Sequence, residues 1–160
     1  MYTFNFITVG PLKEEYRRKE RDEYAKRLGA YGKVVKTELS AYKLPSEPSD
    51  AEIESALSKE GETILRAIPK GAHVIALCVE GKKMDSPSFA SYLGRVADSG
   101  TSDICFIIGS SYGLSPAVKK TAHLRLSVSD FTFPHSMMQP ILYEIVYRSM
   151  NILRGGKYHK

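Results

Sequence analysis

Arg154, Lys157, Tyr158, His159 and Lys160 fall within the last seven residues of the chain, a mixture of cations and aromatic rings. Such a mixture can hold a phosphate backbone while a ring stacks on, or hydrogen-bonds to, an unpaired base. A frayed terminus can carry the same composition without purpose, and spacing alone leaves both readings open. A second candidate is the run Gly109-Ser110-Ser111-Tyr112-Gly113, which closes a continuous apolar segment. Its glycines would admit close approach of a ligand to the backbone, or would serve turn geometry, the simpler account. The run is neither GxGxxG nor GxxxxGK[ST], so it lacks the dinucleotide and P-loop signatures.

The remaining reactive side chains point to structure. Glu144 and Arg148, four apart in the favourable order, read as a surface ion pair of small stabilisation and are assigned no catalysis. His73 and His123 open apolar runs and read as structural, and no two histidines have metal-pair spacing, so no metal is expected. Cys78 and Cys105 sit in apolar runs without CxxC spacing, which predicts buried reduced thiols. Neither a GxSxG elbow nor a Cys and His arrangement anchors hydrolase chemistry.

These residues must be positioned by one core. A chain of 160 residues, 42% hydrophobic and 26% charged, with ten Tyr and six Phe, has material for a single domain spanning 1–160. Its net charge of +5 is mildly attractive to polyanions without forming a basic tail. No apolar run reaches bilayer length and the amino terminus has no secretory pattern, so a soluble, cytoplasmic protein away from membranes is expected.

Phe4–Val9, Val34–Leu39, Val74–Val79, Asp103–Ile108 and Leu124–Val128 read as strands. Between them lie helical segments at Lys13–Lys33, from a Ser49/Glu52 capping box to about Ala67, from Ser86-Pro87, and from Ser115-Pro116; the last helix begins near Met138. In the first of these, Leu12, Tyr16, Tyr24, Leu28 and Tyr31 form the inward stripe, and Arg17, Arg18, Lys19, Arg21, Lys26 and Arg27 read as a solvated face interleaved with acids, with an RNA-contacting ridge as the alternative. Gly81 is read as ending the third strand. Alternating strands and helices predict an α/β fold, a mostly parallel sheet with helices on both faces. Ligands in such sheets bind beyond the strands' carboxyl ends, which directs attention to the loops after Leu77, Ile108 and Val128.

Taken in order, Phe106-Ile107-Ile108-Gly109, Gly113-Leu114-Ser115, Leu126-Ser127, Thr132-Phe133-Pro134-His135, Tyr147-Arg148 and Tyr158-His159-Lys160 make a specific set. With Val9-Gly10 and Lys59-Glu60-Gly61, they make the whole chain resemble the bacterial ribosomal large-subunit pseudouridine N3-methyltransferases, of the SPOUT class. The resemblance implies a carboxyl-terminal trefoil knot, which no periodicity could reveal. It also implies S-adenosylmethionine as cofactor, methyl transfer to N3 of a pseudouridine in 23S rRNA within the assembled ribosome, and a homodimer.

By position, the resemblance places the cofactor against Leu77, Gly109 and the loop Val128, Ser129, Asp130, Phe131, Thr132 and Phe133. The catalytic assignments are His159, as proton acceptor or orienter, and Tyr158, as stacking or hydrogen-bonding partner. Arg154 and Lys157 fall to phosphate, and His135 to the pocket wall, where a backbone-satisfied loop histidine is an equal alternative. Two departures stand out. Ser110 replaces a usual second glycine, and Gln139-Pro140 stands where an arginine is usual, a loss that Arg154 or a partner-chain base would compensate. They leave room for a non-catalytic RNA-binding protein on the same scaffold. A small nucleotide-binding regulator of flavodoxin type has only the Gly109–Gly113 run behind it.

Overall fold

Five apolar segments of strand length, each followed by a longer amphipathic one, can bury both kinds of element only if the strands share a sheet and the helices cover it. The computed structural model, which describes residues 1–160, has this form. The chain runs β1 (Tyr2–Val9), α1 (Glu15–Leu28), β2 (Gly32–Leu39), α2 (Asp50–Ala67), β3 (His73–Lys83), α3 (Ser86–Asp98), β4 (Asp103–Ile108), α4 (Pro116–Thr121), β5 (Leu124–Ser127) and α5 (His135–Leu153). All neighbouring strands are parallel, in the order β2-β1-β4-β3-β5.

That order decides which face each helix takes. The steps from β1 to β2 and from β3 to β4 go one way across the sheet, and those from β2 to β3 and β4 to β5 go the other. With right-handed crossovers, α1 and α3 share one face and α2 and α4 the opposite one. The core agrees. Leu28, Phe89 and Leu93 pack with Phe4, Phe6, Ile104 and Phe106, joined by Leu142, Tyr143, Val146 and Met150 of α5. On the other face Ile64 and Val118 pack with Ile7, Val9, Val74 and Ile107. The Phe6 ring stacks on Tyr143 at 3.8 Å between centroids and on Phe106 at 5.1 Å, so α5 lies over β1 and β4.

Local signals hold where they depend on neighbours in sequence. Ser49 Oγ accepts the Glu52 N–H at 3.2 Å while Glu52 Oε1 accepts the Ser49 N–H at 3.1 Å, completing the capping box of α2. Ser115 Oγ accepts from Val118 N–H at 3.3 Å and caps α4. Cys78 and Cys105 are buried and free.

Several sequence expectations are corrected. The cap of α3 is Asp85, whose carboxylate accepts the Ser88 N–H at 2.8 Å, one residue before Ser86. β3 does not stop at Gly81. It continues to Lys83 across a register break between Leu77 and Lys82, and a Cβ on Gly81 would come within 2.7 Å of the Arg125 carbonyl oxygen. Val79 is 92% exposed, because the bulge turns it out of the covered sheet. α5 begins at His135, so Pro140 lies in its second turn and leaves the Ser136 carbonyl without its partner; the buried packing of α5 offsets that loss. On α1, Tyr16 is 64% exposed and drops out of the inward stripe. Arg21 instead turns toward α5 and donates to Gln139 Oε1 at 3.2 Å, and Arg17 Nε is buried without a partner.

Candidate functional site

The loops that leave β3, β4 and β5 at their carboxyl ends close around a cavity of about 420 Å³. Leu77, Gly109, Val128, Ser129, Asp130, Phe131, Thr132, Phe133 and His135 all line it. Ile108, Tyr112, Leu126 and Met138, which were not assigned to the cofactor from the sequence, add wall; the first and third belong to strands and the last to α5. Such a volume, apolar on its strand side and polar at its loops, suits a small-molecule ligand.

Each loop has a physical reason for its path. A Cβ on Gly109 would come within 2.2 Å of the Gly113 carbonyl oxygen, and Gly113 has φ +95°. Both glycines are therefore demanded by the turn, in which the Gly113 N–H donates to the Ser110 carbonyl at 2.8 Å. The close approach at Gly109 is made by the chain itself. Ser110 Oγ donates at 2.9 Å to Oε1 of Glu60, a buried carboxylate whose other oxygen accepts the Tyr42 N–H at 2.8 Å. The Ser110 hydroxyl is thus committed to α2.

In the loop from 128 to 133, the Phe131 N–H donates to Ser129 Oγ at 2.9 Å. The Ser129 carbonyl accepts from Ser127 Oγ at 3.4 Å, and the remaining main-chain groups of this loop can recognise a polar edge, such as that of an adenine. Asp130 is tied to Lys83 at 2.5 Å, which fixes the loop to the extension of β3. At the start of α5, burial pushes the His135 imidazole pKa down and the Val9 backbone carbonyl pulls it back up, so the ring is neutral at physiological pH.

The carboxyl-terminal residues lie elsewhere. Gly155, with φ +69°, and a Gly156 N–H bond to the Asn151 carbonyl at 2.9 Å turn the chain back along the outer face of α5. Tyr158 donates its hydroxyl to Glu144 Oε1 at 3.0 Å and its N–H to Asn151 Oδ1 at 3.1 Å. Its ring meets Tyr147 edge-on at 4.9 Å, with the Arg148 guanidinium 4.6 Å from its centroid. Burial, then hydrogen bonds with Tyr24 and Glu144, push the Tyr158 pKa far up, so it keeps its proton. His159 Nδ1 lies 3.1 Å from Arg148 Nη1. A guanidinium only donates, so Nδ1 accepts and the ring proton sits on Nε2.

Glu144 and Arg148 are therefore more than a surface pair: part-buried and joined at 2.8 Å, they form the dock of the tail. Burial raises the Tyr2 pKa and the Arg154 guanidinium opposes it, which places Arg154 at the amino end of β1. Lys157 is exposed. None of Arg154, Lys157, Tyr158 and His159 lines the cavity of its own chain. The cation beside position 139 in this chain is Arg21, and Arg154 does not line the cavity. His, Cys, Asp and Glu residues nowhere gather in a set of three that could hold a metal ion. No helix is long and apolar enough to cross a membrane.

A parallel α/β sheet with a cavity at its carboxyl edge and no ionic phosphate motif is the form of a small-molecule-binding domain. Residues 2–159 match the family model described as predicted SPOUT methyltransferase, and the chain belongs to that family, whose methyl donor is S-adenosylmethionine. It is 47% identical over 154 residues to ribosomal RNA large subunit methyltransferase H of Listeria monocytogenes serotype 4a (strain HCC23), covering 96% of this chain and 97% of the relative. To the protein of the same name from Bacillus pumilus (strain SAFR-032) it is 46% identical, with 98% of each chain covered. Among solved structures, a probable methylase family protein from Haemophilus influenzae Rd KW20 superposes with a TM-score of 0.51 at 12% identity, over 99% of this chain and 70% of the other, a likeness of fold.

Proposed function

We propose that this chain is a cytoplasmic rRNA methyltransferase. In this reading it transfers the methyl group of S-adenosylmethionine to N3 of a pseudouridine in 23S rRNA of the assembled ribosome. It acts as a homodimer whose carboxyl-terminal segment is tied in a trefoil knot. One observation carries the reading: residues of three separate loops, to which the carboxyl edge of the sheet directs attention and which the resemblance assigns to the donor, line a single cavity. Relatives of nearly equal length named for large-subunit rRNA methylation support the substrate class.

S-adenosylmethionine, when bound, supplies a methyl group already activated on sulfonium. The chain's own work is then to bind, align and handle one proton. Leu77 and Ile108 offer an apolar wall, and the main-chain groups of residues 128–133 other than the Phe131 N–H and the Ser129 carbonyl read the polar edges of the donor. These residues fit the group without any charged motif.

His159 takes the N3 proton, and its docked state bears on how. With Nδ1 held by Arg148 and Nε2 protonated, the imidazole has no free lone pair until the tail leaves its dock. Because the tail does not line its own cavity, its partner site is the cavity of a second copy, with Tyr158 against the target base and Arg154 and Lys157 on phosphate. Exposed Phe131, Val79 and Tyr112 beside the cavity are apolar surface that such a second copy would cover. The reading as a non-catalytic RNA-binding protein rests on Ser110 and Gln139, and both side chains are engaged in internal hydrogen bonds.

The deciding experiment is mass spectrometry of 23S rRNA from a strain lacking the gene. One methyl group missing from a pseudouridine, restored by the cloned gene, is the expected result. An unchanged methylation pattern would end the reading.

A further inference from the structure

A second cavity, of about 430 Å³, opens where β2 ends and the chain passes to α2. It is lined by Leu39, Tyr42, Lys43, Lys59 and Glu60 among others, and nothing in the methyl-transfer chemistry above uses it. Tyr42 is half exposed, so part of its side chain is available to solvent. Lys59 Nζ lies 4.8 Å from the centroid of that ring, which holds the cation and the aromatic face together. Neither Lys43 nor Lys59 has a carboxylate within ion-pair distance. An aromatic platform flanked by two uncompensated ammonium groups is the chemistry that takes an unstacked base and its phosphate.

The position of this cavity is as informative as its lining. Glu60 stands between it and the donor cavity: one carboxylate oxygen holds the Tyr42 N–H, and the other holds Ser110, which lines the donor cavity. Glu60 is 4% exposed and both its oxygens are occupied, so its role toward the groove is to fix the backbone at Tyr42. The two cavities therefore share the carboxyl edge of the sheet, one carboxylate apart.

We propose that the Tyr42, Lys43 and Lys59 groove binds a single-stranded RNA nucleotide flanking the methylated one, and so sets substrate affinity rather than the chemical step. This rests on the rRNA methyltransferase reading. The test is steady-state methylation of unmodified ribosomes by the intact protein, with S-adenosylmethionine affinity measured separately by calorimetry. Tyr42→Ala and Lys59→Gln each raise KM for ribosomes about tenfold, with kcat and donor affinity held, and Tyr42→Phe recovers the wild-type KM. Lys59→Gln also lowers the slope of log KM against log salt by about 0.7, the value for one single-strand phosphate contact. Wild-type KM and salt slope in both variants, on an enzyme that methylates ribosomes, would overturn the groove and leave the methyltransferase reading standing. A wild-type protein that binds the donor but methylates no rRNA would remove both.

Discussion

At Gly109 one missing atom decides the shape of the donor cavity. A methyl group there would meet the Gly113 carbonyl at 2.2 Å, so the turn must open to accept it. Gly109→Ala is expected to weaken S-adenosylmethionine binding by about tenfold or more in calorimetry, a cost of about 1.4 kcal/mol, while far-UV circular dichroism stays that of the wild type. Cys105, fully buried, has its pKa pushed up to about 12. At pH 8 roughly one thiol in ten thousand would be ionised, so iodoacetamide should label Cys105 only at the rate of unfolding. Alkylation faster than amide exchange in β4 would contradict that burial.

His135 gives a pH signature whose sign follows from its lowered pKa. Below the unfolded imidazole value of about 6.5 the unfolded state binds more protons than the folded one, so stability falls as pH falls. Between pH 7.5 and 5.5 the drop in melting temperature should be smaller in His135→Gln than in the wild type. Equal drops would mean that His135 does not titrate differently on folding.

At the scale of elements, α5 does two jobs with two faces. Leu142, Tyr143, Val146 and Met150 bury against the sheet, while Glu144, Tyr147, Arg148 and Asn151 hold the tail. The tail contributes nothing to the cavity of its own chain. Truncation after Gly156 is accordingly expected to abolish methyl transfer to ribosomes while calorimetry shows donor affinity within about twofold of wild type, a difference below 0.5 kcal/mol. A truncated protein with undiminished turnover would show that Tyr158 and His159 take no part in the reaction.

On the scale of the molecule, ligand binding and folding are linked through loops that come from three strands. A donor that binds only the folded chain stabilises it by about 2.7 kcal/mol at a hundredfold excess over its dissociation constant. Thermal unfolding should therefore shift upward with S-adenosylmethionine concentration, and Gly109→Ala should blunt the shift. A melting temperature indifferent to the donor would disconnect the cavity from that cofactor.

What could be read from sequence was whatever depends on residues close along the chain. The alternation of apolar runs and amphipathic segments, the Ser49 and Ser115 caps and the buried thiols are all of that kind, and helices on both faces follow from them. The register break in β3 and the early start of α5 escaped, because Arg125 packing on Gly81 and burial of Pro140 overrule local preference. Sheet topology pointed to the loops after Leu77, Ile108 and Val128, and resemblance named the individual cavity residues within them. Tertiary structure alone decided the contacts between distant side chains: Tyr158 with Glu144, 14 residues apart, Ser110 with Glu60, 50 apart, and Arg21 with Gln139, 118 apart. A hydrogen bond acts over about 3 Å, and no pattern along the chain states which far residues the order of the strands will bring within that reach.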